Sequence, residues 1–467
     1  MDTELPFLDE YLRNETLGHY KANLALIALS PRASFWLPEN PPTLDRWCVF
    51  AHEYAHFLHN FSTTCGLYDF VTHLRLVGLF VQTVGVDGNS RGMDVLDEQQ
   101  RRDFHKWQTL RQHLRGQTGH PFSPDYHRRD VQIRVTDVKT SRGTVEFSTQ
   151  AFPLQMETAY VSFSVWSAST PPQSCSIAFG GWHIMEALAY EIERTIFKAN
   201  GADVGVIDSR MPTYPYKLGR LLFEHLAKVV PSERAFARVC VMALQSTDPG
   251  ASFIDIANAF GRRSPSESDE ITLSRLEGIT LRELHRTVAH HINLTLRPEF
   301  DRFASRGGPV GRAIASLGAM CLKYVELRTK DLFFEIRLFE QVLDRDSLHQ
   351  IIQSYPPCPI VHDARMDGNS EFFNLSATEL SADEVDALCA YQSFSEFIAA
   401  HLRQDKFLRT GECRHSRCLF LGACAAPQAI HTPELCRTQP WSAFREGDSQ
   451  ACMYAAAVSA ARGRADL

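Results

Sequence analysis

The chain has no excess of basic charge, no long apolar run, no tight Cys-x2-Cys pair and no internal repeat, and each lack closes off a class of function. Lysine and arginine number 48 against 55 aspartate and glutamate, a formal net charge of -7. A nucleic-acid surface would therefore have to be a local patch, and no long basic run supplies one. Apolar stretches such as Ala25 to Leu29 fall far short of the roughly 20 residues that a membrane helix needs. The opening MDTELPFLDEYLRNETL is acidic and has no basic region followed by an apolar core, so no signal peptide is expected and the chain reads as soluble and cytoplasmic. The 12 cysteines are scattered without a secretory signal, which predicts reduced thiols and not a disulfide framework.

What is present is an ordinary globular composition, 44% apolar and 22% charged, in 467 residues. That length suffices for roughly two to four domains with ample cores, so no metal is needed merely to fold the chain, and a metal site is free to be catalytic. A Pro-rich entry, Leu37 to Thr43, precedes a predicted helix from Leu44 to about Phe61, with Thr43 as N-cap. From Gly85 to Gly180 a charged helical stretch gives way to β-rich pieces at 131–135, 144–148 and 160–166, read as a small inserted sheet. Helical periodicity then dominates from Trp182 to about Leu402, with breaks at 213–215, 248–250, 264–268 and 354–359. Beyond Leu408 the composition turns to Cys, His, Pro and Gly, the mark of a compact appendage. The expected fold is α+β and mainly helical, divided at 1–84, 85–180, 181–300, 301–408 and 409–467.

The chemistry concentrates in His52-Glu53-Tyr54-Ala55-His56. Two histidines four apart on a helix share a face, so both imidazoles reach one ion, while Glu53 is displaced around the axis toward a bound water. On the other side Trp47, Phe50, Tyr54, Phe57, Leu58 and Phe61 form an aromatic stripe on which the helix can pack. A catalytic zinc takes three protein ligands and keeps one position open. The best supplier of the third is the helix beginning at Gly180-Gly181, where Glu186 shares a face with His183, Tyr190 and Glu193, and Ile184, Leu188 and Ile192 lie opposite. Glu193 is the second choice. The small Ala187 and Ala189 are expected to let this helix approach the motif helix closely. His59 lies on the ligand face but about 10 Å along the axis from His52, which suits a supporting or substrate-facing role.

This combination resembles the zincin metallopeptidases, specifically the gluzincin group. The resemblance covers two short segments and implies a zincin-like catalytic core in which His52, His56 and Glu186 bind one zinc and Glu53 is general base. The long stretch from Phe57 to Met185 exceeds the spacers of thermolysin-like members, which implies that the β-rich region is an insertion. The position four after Glu186, where those enzymes place a supporting acid, is Tyr190. In the implied reaction zinc lowers the pKa of a water and Glu53 takes its proton as a peptide carbonyl is attacked, then passes it to the leaving amine. Tyr214, Tyr216, His290 and His291 are candidates for stabilising the oxyanion.

Near the C-terminus, Cys413-x4-Cys418-x5-Cys424-x11-Cys436 offers thiolates for a second, structural zinc or an iron-sulfur cluster, although the spacing matches no tight signature. Two functions stay open: a zinc metallopeptidase acting on a protein or peptide, with one specific intracellular protein as the expected substrate, or a zincin-fold regulatory or scaffold protein with latent or lost activity. A protein partner suits either. A membrane role is not expected, and nucleic-acid binding is disfavoured by the acidic balance and by the absence of lysine after Lys406.

Overall fold

A computed structural model of the chain describes residues 18–30, 33, 43–118, 121, 131–145, 154–167, 170–264, 267–287, 296–305, 307–340, 345–354, 360–364, 370–374, 381–413, 418–421, 433–443 and 452–461. In chain order these include strands β1 (Gly18–Lys21) and β2 (Leu26–Leu29), then helices α1 (Leu44–Ser62), α2 (Thr64–Val81) and α3 (Glu98–Arg115). Strands β3 (Gln132–Val145), β4 (Leu154–Ser167) and β5 (Thr170–Phe179) lead into α4 (Gly181–Ala199), α5 (Val204–Arg210), α6 (Leu218–Ala227), α7 (Glu233–Leu244), α8 (Pro249–Gly261) and α9 (Asp269–Thr287). The remainder comprises α10 (Arg297–Ala304), α11 (Gly308–Lys330), α12 (Phe334–Phe339), α13 (Arg345–Ser354), β6 (Ile360–Ala364), β7 (Ser370–Asn374), α14 (Ala382–His401), α15 (Pro433–Thr438) and α16 (Met453–Ala461). The described residues are mainly helical and form two small sheets. Among the described residues no helix is long and apolar enough to cross a membrane.

Helix α1 forms where its pattern predicts. Thr43 is its N-cap in extended conformation, without a side-chain capping bond, and Asp45 sits in the first turn. The aromatic stripe is inside from its second member on: Trp47 is half-buried, and Phe50, Tyr54, Phe57 and Phe61 are buried, with successive ring centroids 6.1, 5.8 and 5.0 Å apart. Tyr324 of α11 meets Phe57 edge-on at 5.6 Å, so α11 closes this side of α1. Fully burying side chains of this size stabilises by roughly 1.5–3 kcal/mol each, which makes α1 a central rod of the core. The helix ends at an elbow. Thr63 caps α2 by accepting the Gly66 N–H at 3.1 Å, and a Cβ on Gly66 would lie 2.5 Å from the Asn60 carbonyl oxygen, so only glycine lets α2 start this soon.

The inserted sheet has the antiparallel order β3-β4-β5. In β4, Ala159, Val161, Phe163 and Val165 point inward while Tyr160 points out, as period-two alternation demands. The pieces expected at 131–135 and 144 onward are one continuous strand whose middle is polar and exposed, and residues 146–148 lie outside the described residues. Strand β5 is not expected from its Pro-Pro-Gln-Ser start, which reads as a turn; its register is imposed by β4, from Ala159 opposite Phe179 to Ser167 opposite Thr170.

The expectation of helix as far as Leu402 needs correcting. Strands β6 and β7 interrupt it, and β6 pairs parallel with β2 in a sheet of order β1-β2-β6-β7. The stretch 301–408, expected to be a helical region, thus completes a sheet begun in 1–84. Pairing across that separation leaves no local signature, because periodicity reports only on neighbours in the chain.

Candidate metal centre

Helices α1 and α4 cross so that His52 and His56 face Glu186. The His52 and His56 Nε2 atoms are 3.0 Å apart, and the Glu186 Oε2 is 3.4 Å from the first and 3.6 Å from the second. A tetrahedral ion with ligands at about 2.0–2.2 Å has ligand-to-ligand edges of about 3.4 Å, close to the two edges that Glu186 makes and somewhat longer than the 3.0 Å between the histidines, so the group could hold a metal ion. Among the described residues this is the single group of three or more His, Cys, Asp or Glu side chains that can hold a metal.

Glu193 lies seven residues after Glu186, almost directly above it on the helix face, and its Oε1 is 2.8 Å from the His52 Nδ1. His52 is therefore held between two carboxylates. Burial alone would favour its neutral form, but the neighbouring Glu193 and Glu186 together outweigh that and raise its pKa well above the imidazole range. Burial works against the Glu186 carboxylate too, and His56 and His52 reverse it, holding Glu186 below the usual carboxylate range. Both shifts describe a pocket whose geometry favours positive charge beside Glu186.

Glu53 is buried on the wall of the same cleft. Burial raises its pKa, with the two histidines and the Tyr20 N–H acting in the opposite sense. Strand β1 passes directly over it. A Cβ on Gly18 would come within 2.9 Å of the Glu53 Oε1 and 2.7 Å of the Val49 Cγ1, so glycine makes room for the carboxylate. The cleft encloses about 620 Å³, and β1, α1, α2, α4 and α14 supply its walls. Tyr216, from the loop before α6, completes the wall with its ring centroid 5.8 Å from that of His52.

Other expected site residues sit elsewhere. His59 is fully buried, neither supporting the ligands nor facing substrate: its Nε2 is 3.5 Å from Glu335 of α12, and burial lowers its pKa. His183 bonds the Tyr214 hydroxyl at 3.2 Å, and burial holds it down to about 3. The Tyr190 hydroxyl donates to Asp208 at 2.6 Å. His183, Tyr190 and Tyr214 are absent from the cleft wall. On α4 the side of the axis toward which His183 and Tyr190 turn from the Glu186 direction meets α5 and the 211–217 loop, whereas Trp182, turned the other way, lines the cleft. Ala187 packs against Gly219 of α6, where a Cβ would be 2.9 Å away. His290, His291 and Cys424 lie outside the described residues. Cys413, Cys418 and Cys436 do not gather into a metal-holding group among the described residues; Cys418 and Cys436 are joined by a backbone bond of 2.8 Å, and the Cys413 thiol donates to the Ala400 carbonyl at 3.6 Å.

Sequence reasoning missed the contributions of His19, Lys21, Arg115, Trp182 and Glu396 to the cleft. Gly181 before Trp182 carries a signal in retrospect: a Cβ there would strike the Cys65 Sγ at 2.5 Å, so the start of α4 is wedged against α2. No family model, curated protein or solved structure matches this chain.

Proposed function

We propose that the chain is a zinc-dependent metallopeptidase with a zincin-like core, acting on a protein or peptide. The observation that carries this reading is the triangle of His52, His56 and Glu186 ligand atoms, with edges of 3.0, 3.4 and 3.6 Å, opening on a cleft that also presents Glu53. When bound there, zinc supplies Lewis acidity toward a carbonyl and toward a water molecule.

The chain's own residues do the rest. His52 and His56 hold one face of the site and Glu186 the other, while Glu193 fixes the His52 ring and its tautomer through Nδ1. Glu53 is one position from His52 on the helix, too far around the axis to be a ligand and suited to taking a proton from water and returning it to the leaving amine. Its raised pKa keeps proton transfer closer to balance at neutral pH than an exposed carboxylate would. Tyr216 offers a hydroxyl for the developing oxyanion, and of the candidate donors among the described residues it is the one in the cleft wall. The outer strand β1 lines the same cleft, and an extended peptide backbone can add to such an edge.

The test is Glu53→Gln. The amide keeps the shape of the carboxylate, so zinc content and thermal stability should stay at parental values while peptide cleavage falls by about 10² to 10⁴. A parental cleavage rate in this variant would overturn the reading.

A further inference from the structure

Arg115 stands between two cavities. One is the cleft that holds Glu53 and Glu186; the second, also of about 620 Å³, opens beside the last turn of α3, and Arg115 and Thr118 line both. The second is walled by Arg111, Arg115, Gln108, Gln112, Gln117 and Gln404, with no carboxylate among the described lining residues. Guanidinium and amide N–H groups are donors matched to a carboxylate.

The placement of Arg115 is built into the fold. Asp69, 5% exposed, accepts from its Nε at 2.7 Å and its Nη2 at 2.5 Å, and also from Arg111 at 3.4 Å. That pair leaves the Nη1 donors of Arg115 unused, and 32% of its side chain stays open. The turn that follows is locked: Gly116 has φ +76°, a Cβ there would meet the Ala178 carbonyl oxygen at 2.6 Å, and the Gln117 N–H donates to that same oxygen at 2.8 Å. Among the described residues of the cleft wall the other Lys or Arg is Lys21, which already pairs with Glu396 at 2.7 Å.

We propose that Arg115 is a specificity residue that receives a carboxylate of the peptide substrate, at one fixed distance from the bond held over His52, Glu53, His56 and Glu186. This rests on the metallopeptidase reading and adds a substrate class: peptides with an acidic side chain, or a free C-terminus, at that distance. The oriented donors of Arg115 line the same cleft as the candidate metal ligands, so a carboxylate bound there sets the register of the chain.

Zinc-loaded Glu53→Gln protein serves as a trap for a proteome-derived peptide library, and the parent enzyme is given the retained peptides. Retained peptides should share a carboxylate at one position, and adding Arg115→Gln to the trap should cut retention roughly 10- to 100-fold, while Arg115→Lys restores part of it. Synthetic versions with Glu→Gln or an amidated C-terminus identify the source: loss with the first assigns a side chain, loss with the second the terminus. Retention that survives both neutralisations, that is unchanged in Arg115→Gln, or that is absent from the trap would overturn the subsite. If Arg115→Gln does not fold, the neutralised peptides and Arg115→Lys decide alone. Carboxylate-dependent retention of peptides that the parent never cleaves would instead overturn hydrolysis and leave the subsite standing.

Discussion

The carboxylate of Glu193 lies 2.8 Å from the His52 Nδ1, behind the ring, and this contact sets which ring nitrogen is free to face the site. Replacing it with glutamine keeps a hydrogen-bonding group but removes the charge, and supporting partners of this kind are worth about 10- to 100-fold in metal affinity. Glu193→Gln should therefore weaken zinc binding by about that factor in a competition titration against a chelating dye, with the far-UV circular dichroism unchanged. Unaltered affinity would show that the contact is only packing. The same residue illustrates what a helical wheel resolves. Glu186 and Glu193 lie almost in line along α4 and both reach His52, whereas Tyr190 and His183, both turned to the same side of that line, bond Asp208 and Tyr214 instead.

Between elements, α1 is tied to α11 and α12 by charges with no access to water. Arg328 and Glu335 are both fully buried and 2.5 Å apart, and Arg328 also donates to the Ser62 hydroxyl at 2.7 Å, at the end of α1. Burial opposes the Glu335 carboxylate and Arg328 reverses this, so its pKa is held low. Removing one partner strands the other in the core at a cost of about 3–5 kcal/mol, whereas replacing both with apolar residues of similar volume is close to neutral. Glu335→Leu should thus lower the denaturation midpoint strongly and Arg328→Met with Glu335→Leu should recover most of it, as read by urea unfolding. If the double variant is as unstable as the single one, the loss lies in packing and not in the unpaired guanidinium.

For the molecule as a whole, the metal is expected to add to stability without being required for folding, since the α1 core is closed by aromatic packing that does not involve the site. Saturating zinc at about 1,000 times its dissociation constant contributes about 4 kcal/mol, so chelation should lower the melting temperature by several degrees and leave a cooperative transition. The effect should depend on pH. Because the His52 pKa is raised in the folded metal-free protein, its charge stabilises that form fully below the ordinary imidazole pKa, and this contribution is lost as pH rises through the raised value. Zinc must displace that proton, so its affinity rises over the same window. The melting-temperature gap between loaded and chelated protein should widen with increasing pH in differential scanning calorimetry; a constant or narrowing gap would contradict the assignment of His52 as a ligand.

The motif helix, its aromatic side and the shared face of Glu186 and Glu193 on α4 were legible from spacing, because a helix converts intervals of three, four and seven residues into a shared face. The β-rich segment was legible as strand for the same reason, through alternation in β4. The roof of the cleft was not. Strand β1 is four residues long and holds its place through β2, which pairs with β6 from the far end of the chain, and Arg115 reaches the cleft because Gly116 abuts Ala178 and Gly180. Contacts of that kind depend on how separate elements close on one another, a long-range choice set by packing, and no local interval in the chain encodes them.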